Sequence, residues 1–195
     1  EAWRPFWENP STRSYYFIGK DNIPFHTIIW PAMLLGYGEL NLPYDVPSNE
    51  FLTLEGKQLS TSRNWAVWVP DYLDRLPPDP LRYHLAATMP ETGDSDFSWA
   101  DYVRRNNDEL VATFGNLVHR VLTQVFRNFD EAVPEPGDLR QADTDLIATA
   151  NAALDAVAHS LNAVRLREAL QGAMGLARET NRYIDFQAPW KQVKE

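Results

Sequence analysis

The chain has 195 residues, enough for one sizeable domain or two small ones. At 44% hydrophobic and 12% aromatic it carries the material for a real core, and the lack of cysteine excludes disulfides and a thiolate zinc knuckle. The net charge of −9, from 18 basic and 27 acidic residues, excludes a generic basic nucleic-acid glue but not an RNA binder with a local basic patch, because only charge facing the phosphates counts.

No run approaches the ~20 apolar residues of a membrane span. The best candidate, residues 28–35, is too short and contains Pro31, so no membrane partner is expected. No secretory signal precedes the first apolar run, and a cysteine-free chain suits a reducing compartment; a cytoplasmic location is expected. The first residue is Glu1 rather than Met, which predicts an interior cut or a processed chain.

Residues 1–14 are aromatic and proline-bearing, without a period, and read as an irregular lead-in. Residues 15–18, YYFI, form a short β-prone run ended by Gly19, which predicts a buried strand. Asn22 is then the expected N-cap of a helix, with Pro24 in its first turn, a kink at Pro31 and a stop at 36–38. Strand, glycine turn and helix make the local form of a Rossmann-like unit, whose ligands sit at the carboxyl ends of the strands. That edge carries Gly19, Asp21 and, one turn on, His26. By spacing alone, Asp21 serves equally as an extra cap and His26 as a packed surface histidine.

The alternation around Phe51, Thr53 and Leu54 suggests a hairpin arm, leading to a polar, mobile loop at 56–63, GKQLSTSR. Two cations and three hydroxyls around a single Leu suit phosphate oxygens, with charge from Lys57 and Arg63 and directed hydrogen bonds from Ser60, Ser62 and the backbone. The same composition also fits a plain polar surface loop. Residues 65–69, WAVWV, read as β-prone. A short helix follows at 70–75, Pro77 and Pro78 break it, and Asp79 is the expected cap of a second helix with Pro80 at its first position and a structural His84 inside.

Residues 89–97 read as a polar loop and the best domain boundary. Ser98 caps a long helix to about 129, on which Leu110, Phe114, Leu117, Val121 and Val125 share one face at 100° per residue. Thr113, Asn116, Arg120, Thr123 and Arg127 fall on the opposite face as a polar stripe, read as outward-facing. A solvated face accounts for such a stripe without any ligand. A proline-rich acidic loop at 130–138 precedes two more helices, 140–161 and 164–186, whose alanines allow close approach. No cluster of ligating side chains predicts a metal site.

Two ordered motifs carry a family resemblance. Gly19-x-Asp21-x-x-x-x-His26 resembles the GxDxxxxH signature of the synthetases for methionine, isoleucine and valine, and about forty residues on, 58–62 resembles the KMSKS loop of class I aminoacyl-tRNA synthetases, with Gln58 and Thr61 in place of its two lysines. The run FIGKDNIPFHTIIWPAML is most similar to methionyl-tRNA synthetases, as are DYVRRNNDELVATFGNLVHR and ARETNRYIDFQAPW in the helical half; the isoleucine and valine types are disfavoured. The resemblance extends from about residue 15 to about residue 190.

The resemblance implies a mainly α fold with a small α/β part: a partial Rossmann-like unit followed by a helical bundle. Residues 1–65 would be the C-terminal part of a catalytic domain, 66–97 a connecting region and 98–195 a truncated anticodon-binding domain. It implies Gly19, Asp21, Lys57 and Ser60 as ATP- or adenosine-binding residues, with Asp21 at the ribose or the amino acid. Phe25, His26 and Trp30 would wall a methionine pocket, where a thioether gains from aromatic contacts. Lys57, Ser60, Ser62 and Arg63 would form the catalytic loop at the phosphates. Asn116, Arg120 and Trp190 would read the tRNA anticodon through base-edge bonds and stacking. By the residues alone, Trp190 also fits a core anchor at a helix end.

The implied partners are methionine, ATP with Mg²⁺, methionine tRNA and the N-terminal half of the catalytic domain. That half would bring the HIGH sequence, which none of His26, His84, His119 and His159 forms. The chain also stops before the last helices of the family's bundle. This piece alone is therefore expected not to activate methionine. The alternative is a non-catalytic tRNA-binding or interaction module derived from such a synthetase, a reading that Thr61 favours and the Gly19, Asp21 and His26 set opposes.

Overall fold

A computed structural model describes residues 1–192. The chain is mainly helical with a small α/β part and divides into two compact units, 1–66 with 89–96, and 67–88 with 97 onward. Segment 66–97 is thus shared between the units.

In the first unit a short helix α1 (Arg4–Trp7) precedes strand β1 (Ile18–Gly19), which pairs in parallel with β2 (Ser48–Asn49). Tyr15 adds an isolated bridge to Asp45, so the expected strand at 15–18 is mostly an extended approach to β1. Parallel pairing requires a crossover. Here it runs through a 3₁₀ turn (Lys20–Asn22), a π-helical turn (Phe25–Ile29) and helix α2 (Trp30–Tyr37). The Asn22 side chain does not cap this helix; the 3₁₀ turn leads directly into the next turn, and the Asn22 carbonyl instead meets His26 Nδ1 at 3.1 Å. Pro31 sits where the wide π turn tightens into α2, a place where its missing N–H breaks no regular ladder. Gly38, at φ 85°, closes α2 with its N–H on the Leu34 carbonyl at 2.9 Å.

The second sheet of this unit has the order β4–β3–β5, from β3 (Leu52–Leu54), β4 (Lys57–Gln58) and β5 (Ser95–Phe97). The region expected to be a polar loop at 89–97 therefore ends in a strand. β3 and β4 are joined by Glu55 and Gly56, both at positive φ (50° and 73°), the geometry of a type I′ hairpin turn matched to strand twist.

The second unit opens with α3 (Val69–Leu73) and α4 (Pro78–Ala87). Residues 65–68 form no strand, and α4 begins at Pro78 rather than after an Asp79 cap. Pro77 is held extended (φ −67°, ψ 154°) by the proline that follows it, and Pro78 enters the helix where no N–H is needed. Ser98 accepts the Asp101 N–H at 3.1 Å and caps a continuous helix made of α5 (Trp99–Arg105), a π-helical segment (Asn106–Gly115) and α6 (Asn116–Asn128); such a cap stabilises by about 1 kcal/mol.

The π segment changes the helix faces. Thr113 Oγ1 donates to the carbonyl five residues back, on Asp108, and a Cβ on Gly115 would lie 3.0 Å from the Leu110 carbonyl, so glycine suits the return to α geometry. Each residue of the wide segment turns less than 100°, and the stripes counted at α period slip out of phase. Phe114 and Val121, expected inside, are 50% and 42% exposed, while the Arg120 side chain of the polar stripe and the Thr113 carbonyl meet Asn181 of a neighbouring helix.

That neighbour is α8 (Leu166–Gln187), paired with α7 (Gln141–Asn162). Ala169, Met174 and Ala177 are buried, and a Cβ on Gly172 would meet Val157 at 3.2 Å, so small residues let the helices close. The Asp143 carboxylate takes the Arg140 N–H at 2.7 Å, capping α7, and accepts the Tyr183 hydroxyl from the far end of α8.

The aromatic core of this unit surrounds His84, 1% exposed, with Phe97 and Tyr102 ring centroids at 4.9 and 5.8 Å. The Tyr72 hydroxyl donates to the Pro77 carbonyl at 3.0 Å and lies 2.8 Å from that of Tyr102. Neither nitrogen of His84 has a hydrogen-bond partner among the described residues. Burial pushes its pKa down; Asp101, 3.9 Å away, and Glu109 pull it up, and Arg104 and Arg105 oppose them. The unfolded chain therefore takes up this proton first. The His84 contribution is fully present above about pH 6.5 and declines as pH falls below it toward the depressed folded value. The melting temperature should drop between pH 7.5 and 5.5, and His84→Leu should flatten that limb; equal slopes in both proteins would show that another group titrates.

Candidate functional site

The first unit gathers the residues expected at a small-molecule site into two places. At the end of β1, Gly19 leads to the exposed Asp21, and Lys20 between them is tied down by the Glu50 carboxylate, by Asp94 at 3.6 Å and by the Phe51 ring 4.3 Å below its ammonium. One turn on, Phe25, His26 and Trp30 line a cavity of about 310 Å³ with Tyr16, Ile29 and Met33. The Trp30 indole N–H donates to the Tyr16 hydroxyl at 3.2 Å, Tyr16 faces His26 at 5.9 Å, and Trp7 packs edge-on to Trp30 at 6.0 Å. These contacts fix an almost wholly apolar wall with a single imidazole on it.

The hairpin holds the other group. The loop expected from Gly56 to Arg63 is tighter than an open coil, because Lys57 lies in β4 and Ser60 exchanges two backbone hydrogen bonds with Trp65, at 2.8 and 2.9 Å. Ser60 and Ser62 hydroxyls lie 3.2 Å apart, and the Arg63 N–H reaches the Ser60 oxygen at 3.3 Å, so both serines and the Arg63 backbone are drawn together. The Asp96 carboxylate accepts from the Gly56 N–H at 2.8 Å and from the Thr53 hydroxyl, bracing the turn before Lys57. The Trp65 indole N–H caps the Leu54 carbonyl at 3.0 Å, and its ring lies 4.9 Å from the Lys57 ammonium. Among the described residues no hydrogen bond or ion pair joins Asp21 to this loop.

In the second unit, Arg120 and Trp190 come together from residues 70 apart in sequence. α8 ends at Ala188 in a left-handed conformation (φ 44°, ψ 56°), with its N–H on the Ile184 carbonyl at 2.9 Å. Pro189 then starts the short helix α9 (Pro189–Gln192) and throws Trp190 back along the bundle. The Arg120 guanidinium sits 5.1 Å from the Trp190 ring centroid. Beneath them is a cavity of about 290 Å³ walled by Val121, Val125, Ile184, Pro189 and Trp190. Arg120 is itself anchored, with Nη2 on Asp185 at 2.5 Å and Nη1 on Asn181 at 3.5 Å. Asn116, one turn before it, is exposed and lines a second cavity on the other side of Arg120.

Asp185, Asn181, Trp65 and Asp96 went unremarked in the sequence. The i,i+4 spacing of Asn181 and Asp185 on α8 was a visible sign of a shared face, but the facing element was not. Among the described residues no group of three or more His, Asp or Glu is placed to hold a metal ion, and no helix is long and apolar enough to cross a membrane.

Trp65→Ala removes one hydrogen bond, worth about 1 kcal/mol, and the ring beside Lys57. Amide exchange over 54–60 should speed up roughly fivefold, and Trp65→Phe, which keeps a ring but loses the N–H, should fall between. Unchanged exchange in both variants would mean that the backbone pairs alone hold the hairpin.

Comparison with known proteins places the chain in one family. The family described as tRNA synthetases class I (M) matches residues 1–122. A methionine–tRNA ligase of Thermomicrobium roseum is 57% identical over 196 residues, covering all of this chain and 34% of the relative. One from Roseiflexus castenholzii is 57% identical over 199 residues, covering all of this chain and 33% of the relative. The crystal structure of Mycobacterium tuberculosis methionyl-tRNA synthetase bound by methionyl-adenylate superposes with a TM-score of 0.87 at 31% identity, over all of this chain and 37% of that one; its apo form gives 0.84 at 32%, over all of this chain and 36% of that one. The chain thus spans about a third of the length of the curated relatives it matches. On the match over 1–122, the chain belongs to the tRNA synthetases of class I (M).

Proposed function

We propose that this chain is part of a methionine–tRNA ligase, carrying the phosphate-side loop of the catalytic site and the reader of the tRNA anticodon. In the whole enzyme the methionine carboxylate attacks the α-phosphorus of ATP and pyrophosphate leaves; a hydroxyl at the tRNA 3′ end then takes the methionyl group and AMP leaves. Such chemistry depends on positioning and charge stabilisation rather than on a covalent bond to the protein. Residues 1–65 supply part of the catalytic domain, 66–97 the connection and 98–195 part of the anticodon-binding bundle.

Each group has a role that its chemistry suits. Phe25, His26 and Trp30 wall the methionine side chain, where sulfur gains from aromatic faces. Gly19 lets the nucleotide approach the end of β1, and Asp21 accepts a hydrogen bond from the ribose or the amino acid. Lys57, Ser60, Ser62 and Arg63 receive the phosphates, with Mg²⁺ entering as part of the nucleotide substrate. Thr61 supplies no charge where the family's loop has a second lysine, which leaves Lys57 and Arg63 as its cations. The exposed Phe25, Ile28 and Leu35 (55%, 67% and 69%) fit a parallel sheet unit that the missing half of the catalytic domain would cover.

The observation that carries the proposal is the Arg120–Trp190 pair beside its apolar cavity. An indole with one open face stacks an unpaired base, a guanidinium reaches base edge or phosphate, and Asn116 makes paired bonds to a base edge.

This chain, titrated in low salt, should bind methionine tRNA more tightly than the same tRNA with a changed anticodon, and Trp190→Ala or Asn116→Ala should remove the difference. Stacking on one aromatic is worth about 1–3 kcal/mol, so Trp190→Ala should weaken binding roughly five- to a hundredfold. Equal affinity of the unmodified chain for both tRNAs would overturn the anticodon role. In ATP–pyrophosphate exchange with methionine this chain alone should show no activity above background; exchange would refute the need for the missing half.

A further inference from the structure

The second cavity beside Arg120 shares Asn116 and Arg120 with that reading, but its α8 wall of Gly175, Arg178 and Arg182 has no role in it. It holds about 690 Å³ between the 99–128 helix and α8, lined on one side by Thr113 and Asn116 and on the other by Gly175, Arg178 and Arg182, with Arg120 in the wall of both cavities. Most of its polar groups are engaged. Arg120 is on Asp185, Arg182 pairs with Glu179, and the Asn181 amide donates to the Thr113 carbonyl at 3.0 Å. Asn116 and Arg178 hold no hydrogen bond or ion pair among the described residues. Gly175 leaves the Arg178 guanidinium room, since even a Cβ there would lie 3.9 Å from Nη2. Three arginines against two carboxylates make this cleft locally positive in a chain of net charge −9.

We propose that this cleft is a second RNA subsite, in which Arg178 takes a backbone phosphate of the strand whose base stacks on Trp190. The proposal rests on the anticodon reading for the identity of the strand. An unpaired guanidinium offers a planar fork to phosphate oxygens, and Arg120, shared by both cavities, makes the path from base slot to phosphate continuous. Asn116 then faces the nucleotide between them. Because a phosphate contact carries no base information, Arg178 contributes affinity and salt dependence rather than sequence choice.

The test uses this chain and the anticodon stem–loop of methionine tRNA, in native and anticodon-changed forms, titrated across a range of KCl. Arg178→Gln should flatten the slope of log K against log salt by about 0.7, the loss of one single-strand phosphate contact, and should weaken binding of both RNAs by the same factor. Arg178→Lys should keep most of the slope. Arg127→Gln, on an exposed position lining neither cavity, should leave it unchanged. An unaltered slope in Arg178→Gln, or an equal flattening in Arg127→Gln, overturns the proposal. Inorganic phosphate at matched ionic strength should compete no better than chloride; selective displacement of RNA by phosphate from the unmodified chain but not from Arg178→Gln would assign the cleft to a free anion and overturn the RNA subsite. If both RNAs bind the unmodified chain alike while Arg178→Gln still flattens the slope, the anticodon reading fails and the phosphate contact stands. An RNA that does not bind in low salt overturns both.

Discussion

The end of α8 governs the second unit. A helix carried past Gln187 would take its next residues further along the same axis, about 1.5 Å per residue. Instead Ala188 turns left-handed and Pro189, lacking an N–H, starts a new direction, which returns Trp190 to the side of the bundle. A left-handed alanine costs about 1–2 kcal/mol, and it persists because its neighbours hold the helix end. The Tyr183 hydroxyl on Asp143 and the Arg140 guanidinium on Gln187, at 2.8 Å, tie the last turns of α8 to the first turn of α7. The same Asp143 caps α7, so one carboxylate sets the start of one helix and the end of the next.

Arg120 shows how a charge is oriented on such a scaffold. Its partners on α8, Asn181 and Asp185, point the guanidinium across the groove, 5.1 Å from the centroid of the Trp190 ring. Surface ion pairs stabilise little, about 0–1 kcal/mol at most. Here the consequence is geometric: a long flexible side chain is confined to the boundary between an apolar slot and a polar cleft. In the first unit Asp96 and Trp65 act similarly on the hairpin, holding the turn before Lys57 and the pair formed by Ser60 and Trp65.

Much of this was legible from residue chemistry. Ser98 before a long periodic run gives a helix start, the glycines at 36 and 38 a helix end, and the alternation around Phe51, Thr53 and Leu54 a hairpin arm, although the turn at Glu55 and Gly56 and the strand at Lys57 lay inside what read as a mobile loop. Phe25, His26 and Trp30, grouped by the family resemblance, line one cavity because they lie within two turns of the segment from Phe25 into α2. Less legible were the exact starts. Asn22 and Asp79 had the right chemistry for caps, but a 3₁₀ turn and the Pro77-Pro78 pair set the entries instead.

The helix faces were the larger departure. Counting at 100° per residue assumes an unbroken i→i−4 ladder, and the ladder is broken over Asn106–Gly115, so Phe114 and Val121 emerge and Arg120 turns inward. Local propensity, caps and turns act within a few residues and can be read along the chain. The partner of a side chain cannot, since Arg120 meets Asp185 across 65 residues of sequence and His84 meets Tyr102 only once α4 and α5 pack together. Element identity was therefore set by local chemistry, whereas which groups face a ligand was decided by packing, where rotation of one helix exchanges core for cleft.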